Sequence, residues 1–194
     1  ADVIVFQGAL LSTHPWLARS DKIIVADVYD PMHLENLEQQ KNAPQGIRFV
    51  ETLDLISVMN EQVARADFLL CASEKQRDFW LGQMAALGRL NPMTYDRDTS
   101  LRTLIDVVPF GVQETPPSQK KHGIKGAIPG VNPEDKVVLW GGGIYNWFDP
   151  LTLIRAISEI SKNHSDIKLV FMGTQHPTPH VPEMKMSFEA RQLA

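Results

Sequence analysis

The stretch Asp135-Lys-Val-Val-Leu-Trp140-Gly-Gly-Gly143-Ile-Tyr-Asn-Trp-Phe-Asp149-Pro150 decides how this chain is read. Residues 137–140 form an apolar run of strand length. Three glycines follow, then a short aromatic loop, then a helix start. Asp149 is a good N-cap, and Pro150 suits the first helical position, where its missing N–H would have no partner anyway. Leu153, Ile154, Ile157 and Ile160 then recur at helical spacing. Strand, glycine turn and helix N-terminus in that order are how a doubly wound α/β fold builds an anion pocket, with backbone N–H groups facing the guest. A phosphate-bearing ligand is therefore expected. The plain alternative is that glycine serves only to turn the chain. Asn146 and Trp147 stand where a Gly-x-Gly-x-x-Gly fingerprint needs small residues, which argues against an NAD-type site.

The composition narrows the field of functions. The chain has 194 residues and a formal charge of −4. Residues 1–111 carry 10 basic and 15 acidic side chains, and residues 112–194 carry 9 and 8. Neither part is a basic patch, so nucleic acid is not an expected partner. Cys71 is the single cysteine, so no internal disulfide forms, which suits a reducing compartment and a cytoplasmic location, at most peripheral to a membrane. No apolar run is long enough to span a bilayer. The chain opens directly in a strand-like run, without a signal peptide, and reads as an excerpt from something longer.

Working outward, residues 2–11 read as a buried strand ending at Gly8, and residues 22–27 as a second. Such continuous apolar runs suggest a parallel sheet covered on both faces. Residues 34–46 begin like a helix and break at Pro44 and Gly46. A helix over about 52–65 places Ile56, Met59 and Val63 on one face. Residues 66–72 are a third strand. Ser73 and Gln76 then form a capping box ahead of a helix whose buried stripe is Trp80, Leu81, Met84 and Leu87. Residues 89–100 read as loop, 101–104 as a further helical turn, and 105–108 as a short fourth strand. Proline, glycine and lysine make residues 112–135 a linker between a lobe at 1–111 and a second at 136–194. The second lobe holds strand, helix, strand (167–172) and a final helix over 183–193. The fold class is α/β, with two Rossmann-like parallel-sheet lobes. Each is too short in strands to hide its apolar faces and so looks incomplete.

Ligands of open parallel sheets bind at the carboxyl ends of the strands. Asp27, Asp30 and His33 stand there after the second strand, where a carboxylate or imidazole can orient or deprotonate a hydroxyl. Turn capping at Pro31 is the competing role for Asp30, and local backbone bonding for Asp27. Ser73 and Glu74 follow the third strand, with helix capping as the competing role for Ser73. His176 and His180 lie in a proline-rich loop after the last strand and make an unconvincing metal pair, so no metal is expected. Lys75 and Arg77 read as a solvated helix face, and Trp80 and Cys71 as core.

Five stretches, in order, carry a family likeness: Val25-Ala-Asp-Val-Tyr-Asp-Pro-Met-His33, Ala72-Ser-Glu-Lys-Gln-Arg-Asp-Phe-Trp-Leu-Gly82, Ile105-Asp-Val-Val-Pro-Phe-Gly111, Leu139-Trp-Gly-Gly-Gly-Ile-Tyr-Asn-Trp-Phe-Asp-Pro-Leu151 and Val170-Phe-Met-Gly173. Together they resemble a GT-B glycosyltransferase of the retaining, family 4 type (glycosyl transferase group 1). The resemblance implies a cleft between the lobes, a nucleotide-diphospho-sugar donor held by the second, and a glycan, lipid or small-molecule acceptor presented by the first. Carried over, Gly141, Gly142 and Gly143 lie against the donor phosphates or sugar, beside Tyr145, Asn146, Trp147 and His176. Asp27, Asp30, His33, Ser73 and Glu74 fall on the acceptor side. The resemblance names no catalytic residue. The nucleotide sugar is a co-substrate, and no cofactor or metal is implied. The family's arginine after the first strand of the donor domain is replaced here by glycine. Its Glu-x7-Glu segment, which holds the donor ribose and sugar, would follow residue 194, so the chain alone is expected to be inactive. Two other readings stay open: a non-catalytic nucleotide-binding scaffold of the same fold, and a sugar-nucleotide epimerase.

Overall fold

The structure is a computed structural model that describes residues 1–174 and 183–194. The chain divides into two compact units, Ala1–Val112 and Gln113–Ala194. Both are built on parallel sheet, an α/β architecture consistent with Rossmann-like lobes.

In the first unit the elements run β1 (Val3–Gln7), α1 (Leu10–Thr13), α2 (Pro15–Ala18), β2 (Ile23–Asp27), α3 (Met32–Gln39), α4 (Gln45–Arg65), β3 (Phe68–Cys71), α5 (Glu74–Ala86), α6 (Pro92–Arg97) and β4 (Ile105–Val107). The four strands are parallel and lie in chain order. Their register sets Val3 beside Ile23, Val25 beside Phe68, and Leu69 beside Ile105. Side chains alternate along each strand, so Phe6, Ile24, Ala26, Leu69, Cys71 and Ile105 share one face. That face meets Leu11, Leu17, Met59, Val63, Trp80 and Met84 from the helices. The Trp80 indole is 1 % exposed. Its N–H donates to the Val28 carbonyl at 2.9 Å, which satisfies the one polar atom it buries.

The opposite sheet face corrects the expectation of a sheet covered on both sides. Val3, Val5 and Ile23 point away from the helices and are about half exposed. The reason is topological. Right-handed crossovers that step repeatedly in one direction deposit every helix on the same side of the sheet.

Helix boundaries also differ from the sequence reading. The Pro44 and Gly46 pair does not interrupt a polar segment; it starts α4, seven residues ahead of the expected position. Pro44 is the N-cap residue, with φ −54°. Gly46 falls in the first turn, where N–H groups have no helical partner to lose. Residues 89–100, expected as loop, contain α6. Asn91 accepts from the Thr94 N–H while the Thr94 hydroxyl accepts from the Asn91 N–H, a complete capping box with Pro92 at the first position. Residues 101–104 form a turn around Leu101, whose φ is +59°, rather than a helix.

Arginines tie these pieces together. Arg89 donates to the carbonyls of Val63, Ala64 and Ala66, satisfying the C-terminal end of α4. Arg77, expected on a solvated helix face, is instead buried and donates to the carbonyls of Ile105 and Ser100. Its guanidinium supplies several donors in a fixed fork, which suits it to bridging a carbonyl of the loop before β4 and one at the start of the strand.

The second unit contains β5 (Lys136–Trp140), α7 (Pro150–Ser161), β6 (Ile167–Phe171) and α8 (Lys185–Leu193). β5 and β6 pair in parallel, with Val138 beside Leu169 and Trp140 beside Phe171. Ile144, Ile154 and Ala190 form its core, edged by Trp140, Leu151, Leu169, Phe171 and Met186. Ahead of β5, Asp135 is buried and accepts from the Asn132 N–H at 2.7 Å, closing the turn that feeds the strand.

Candidate functional site

The glycine turn follows β5 directly. Gly141, Gly142 and Gly143 are exposed, and none has a positive φ. Among the described residues, a Cβ added at Gly141 or Gly142 would meet no atom within 4 Å. Neither torsion nor crowding by the protein calls for glycine at these two positions. Gly143 is different: a Cβ there would lie 3.1 Å from the Tyr145 ring. The Trp140 indole N–H donates to the Gly143 carbonyl at 3.1 Å and fixes the far side of the turn. Among the described residues, no acceptor meets the N–H groups of Gly141 and Gly142.

Beyond the turn, Asp149 caps α7, its carboxylate accepting from the Thr152 N–H at 3.0 Å. That bond holds its pKa below the usual carboxylate range. One N–H of the first helical turn is therefore spent on the cap, and Pro150 has none.

The aromatic loop is packed in layers. Tyr145 lies against Gly143. Trp147 stacks on Tyr145 with centroids 4.9 Å apart and planes 11° from parallel. Phe148 meets Trp140 edge-on, and Trp140 tilts against Phe171. Trp147 and Phe148 are 39 % and 41 % exposed. The Asn146 side-chain oxygen accepts from the Met186 N–H at 3.2 Å and so caps α8, whose own N-cap residue, Met184, cannot. His176 and His180 lie outside the described residues.

The carboxyl ends of β2 and β3 carry the other candidates. Asp27 accepts from the Tyr29 N–H at 3.0 Å, a local turn bond. Ser73 caps α5, accepting from the Gln76 N–H at 3.2 Å, while Gln76 reaches past it to the Ala72 N–H at 2.8 Å. The box expected at Ser73 and Gln76 thus closes one residue further back. Glu74 pairs with Arg102 at 2.9 Å, and Arg102 also pairs with Asp106. Asp27, Ser73 and Glu74 accordingly have structural work.

Asp30 and His33 are placed otherwise. Burial raises the Asp30 pKa, and a hydrogen bond with the Glu35 carboxyl only partly offsets it. Burial, the nearby Asp30 charge and the shared hydrogen bond all raise the Glu35 pKa. Two carboxyls this close hold a proton between them more readily than either does alone. Burial lowers the His33 pKa, favouring the neutral ring, which stacks on Phe79 and meets Trp80 edge-on. Asp30 Oδ1 and His33 Nδ1 are buried and have no hydrogen-bond partner among the described residues. Sequence reasoning missed Glu35; the available signal was an acidic residue in the first turn of a helix that follows Asp-Pro. Cys71 is buried, and burial raises its pKa, as suits a core thiol rather than a nucleophile.

Among the described residues, no group of three or more His, Cys, Asp or Glu side chains is placed to hold a metal ion, and no helix is long and apolar enough to cross a membrane. No protein-family model matches the sequence, and no curated protein matches it.

Proposed function

We propose that the chain is part of a retaining glycosyltransferase of GT-B type, whose second unit binds the diphosphate of a nucleotide-sugar donor on the glycine turn after β5. The observation that carries this reading is the open space over Gly141 and Gly142. Their amides have no acceptor among the described residues, and no described atom lies within 4 Å of a Cβ placed on either glycine. A phosphate oxygen suits such a turn, since fixed N–H dipoles need no reorganisation to stabilise the charge that grows on a leaving diphosphate. Catalysis on this reading consists of positioning and electrostatic stabilisation, with no metal called for.

On the first unit, the Asp30 and Glu35 pair with neutral His33 is the group best suited to an acceptor hydroxyl. At the carboxyl end of β2, burial raises both carboxyl pKa values, and no described residue meets Asp30 Oδ1 or His33 Nδ1. Asp27, Ser73 and Glu74 would support that site through the backbone and ion-pair bonds they make. The reading carries with it a glycan, lipid or small-molecule acceptor and a cytoplasmic setting.

One observation favours a second reading, a non-catalytic nucleotide-binding protein. No lysine or arginine lies within residues 141–148 to complement the amides. Calorimetric titration of UDP, GDP and ADP tests both. Binding of one nucleotide, weakened at least about tenfold by Gly142→Ala, supports the donor site, because a Cβ there meets no described atom of the free protein and stands in the way of the guest. Sugar transfer from the matching nucleotide sugar then separates the transferase from the scaffold. If no nucleotide and no inorganic pyrophosphate produces heat, the donor-site reading is wrong.

A further inference from the structure

The Tyr145 and Trp147 stack has no evident purpose in holding the second unit together. Its buried cluster is Ile144, Ile154 and Ala190, edged by Trp140 and Phe171, and Trp147 lies outside that cluster, reaching its edge only through Phe148. Yet Trp147 is not loose. It lies flat on Tyr145, and Tyr145 is seated against the backbone of Gly143. Asn146, between them in sequence, is held by its bond to the Met186 N–H. A large aromatic ring is thus fixed in orientation and left partly open to solvent, four residues after the last glycine of the turn.

From this layering we infer that Trp147 is a stacking platform for the ring carried by the phosphate-bearing ligand, either the nucleobase or the flat face of the sugar. The inference rests on the phosphate reading of the glycine turn and names what lies beside it. An aromatic face attracts a flat ring through dispersion and burial, and the contact tolerates many ring chemistries because it needs no particular hydrogen bond. Pre-stacking on Tyr145 matters because the ring loses little rotational freedom when the ligand arrives. The amides would hold the charge and the indole the ring, so a ligand carrying both would gain from two contacts made at once. Trp147 would act here as a binding residue, not as a catalytic one.

Calorimetry on the whole chain, Trp147→Ala and Trp147→Phe tests this with three probes: a nucleoside diphosphate, a hexose 1-phosphate and inorganic pyrophosphate. Trp147→Ala is expected to weaken one ring-bearing probe roughly ten- to a hundredfold, the size of one stacked ring, while Trp147→Phe keeps most of the affinity and pyrophosphate binding is unchanged. Whichever ring-bearing probe suffers identifies the ring as base or sugar. Unchanged pyrophosphate binding also shows that the alanine variant remains folded. Equal weakening of all three probes, or of none, overturns the platform while leaving the phosphate site standing. If the wild-type chain binds none of them, the phosphate site fails and the platform with it.

Discussion

Trp80 and Trp140 each follow from a strand and helix pairing, yet the two units use them differently. In Ala1–Val112 the indole is sealed in the core and bonded to Val28, both of them members of a cluster of fourteen buried residues. In Gln113–Ala194 the Trp140 N–H closes a glycine turn at the surface, and among the described residues only Ile144, Ile154 and Ala190 cluster as a buried core. A four-stranded sheet with helices packed on one face buries that face fully; in the two-stranded one both faces stay partly open. The first unit is therefore expected to hold most of the stability, while the second exposes the glycine turn.

The contrast can be broken at its strongest point first. Trp80→Ala should cost about 3–5 kcal/mol, from a large cavity and the orphaned Val28 carbonyl, and should abolish the main thermal transition of the first unit. A loss under about 1 kcal/mol in denaturant titration would mean this core is not where the stability lies. Ile154→Ala should cost roughly 2–3 kcal/mol, towards the lower part of the range because the site is near the surface. If the two units unfold separately, hydrogen exchange should quicken in β5, α7 and β6 and stay unchanged in β1 to β4.

Smaller effects sharpen the comparison. Ser73→Ala removes the cap of α5 and should lower stability by about 1 kcal/mol in the first unit. Gly142→Ala should act in the opposite direction, raising stability by about 0.5 kcal/mol through the unfolded chain, because its torsion is ordinary and its surroundings are empty. Destabilisation there would show that the turn is sterically required and would remove the argument for a reserved space.

The smallest effect is a pH dependence. Asp30 and Glu35 have folded pKa values raised above the unfolded ones, so the folded state binds protons more tightly. Their contribution favours folding at low pH and is lost as pH rises through the raised values. Asp98 works the other way: hydrogen bonds from Ser100 and Thr103 lower it to about 2, so its contribution is present above the ordinary carboxylate range and is lost as pH falls towards that value. Asp30→Asn should therefore raise the melting temperature slightly at pH 7, by less than about 1 kcal/mol in free energy since the pair is partly solvated, and make no difference near pH 3. Identical pH profiles for the variant and wild type would dissolve the proton-sharing pair.

Local patterns made much of this legible. The parallel strands, the Asp149 and Pro150 start of α7, the Ser73 cap and the burial of Trp80 and Cys71 all follow from spacing and cap chemistry, which act over a few residues. The same rules could have given α6, since Asn91, Pro92 and Thr94 are a helix start in plain view. They misplaced α4 because a proline and a glycine together can end one element or begin the next.

What the chain's own letters determined is the set of elements and their order, because strand and helix periods and caps are local properties. Tertiary structure alone decided which sheet face stays bare, that Arg77 turns inward to backbone oxygens, that Glu35 joins Asp30, and that Gly143 is filled by Tyr145 while Gly141 and Gly142 stay open. Those outcomes depend on crossover direction and on which side chains meet from distant elements, and no window of sequence contains both partners.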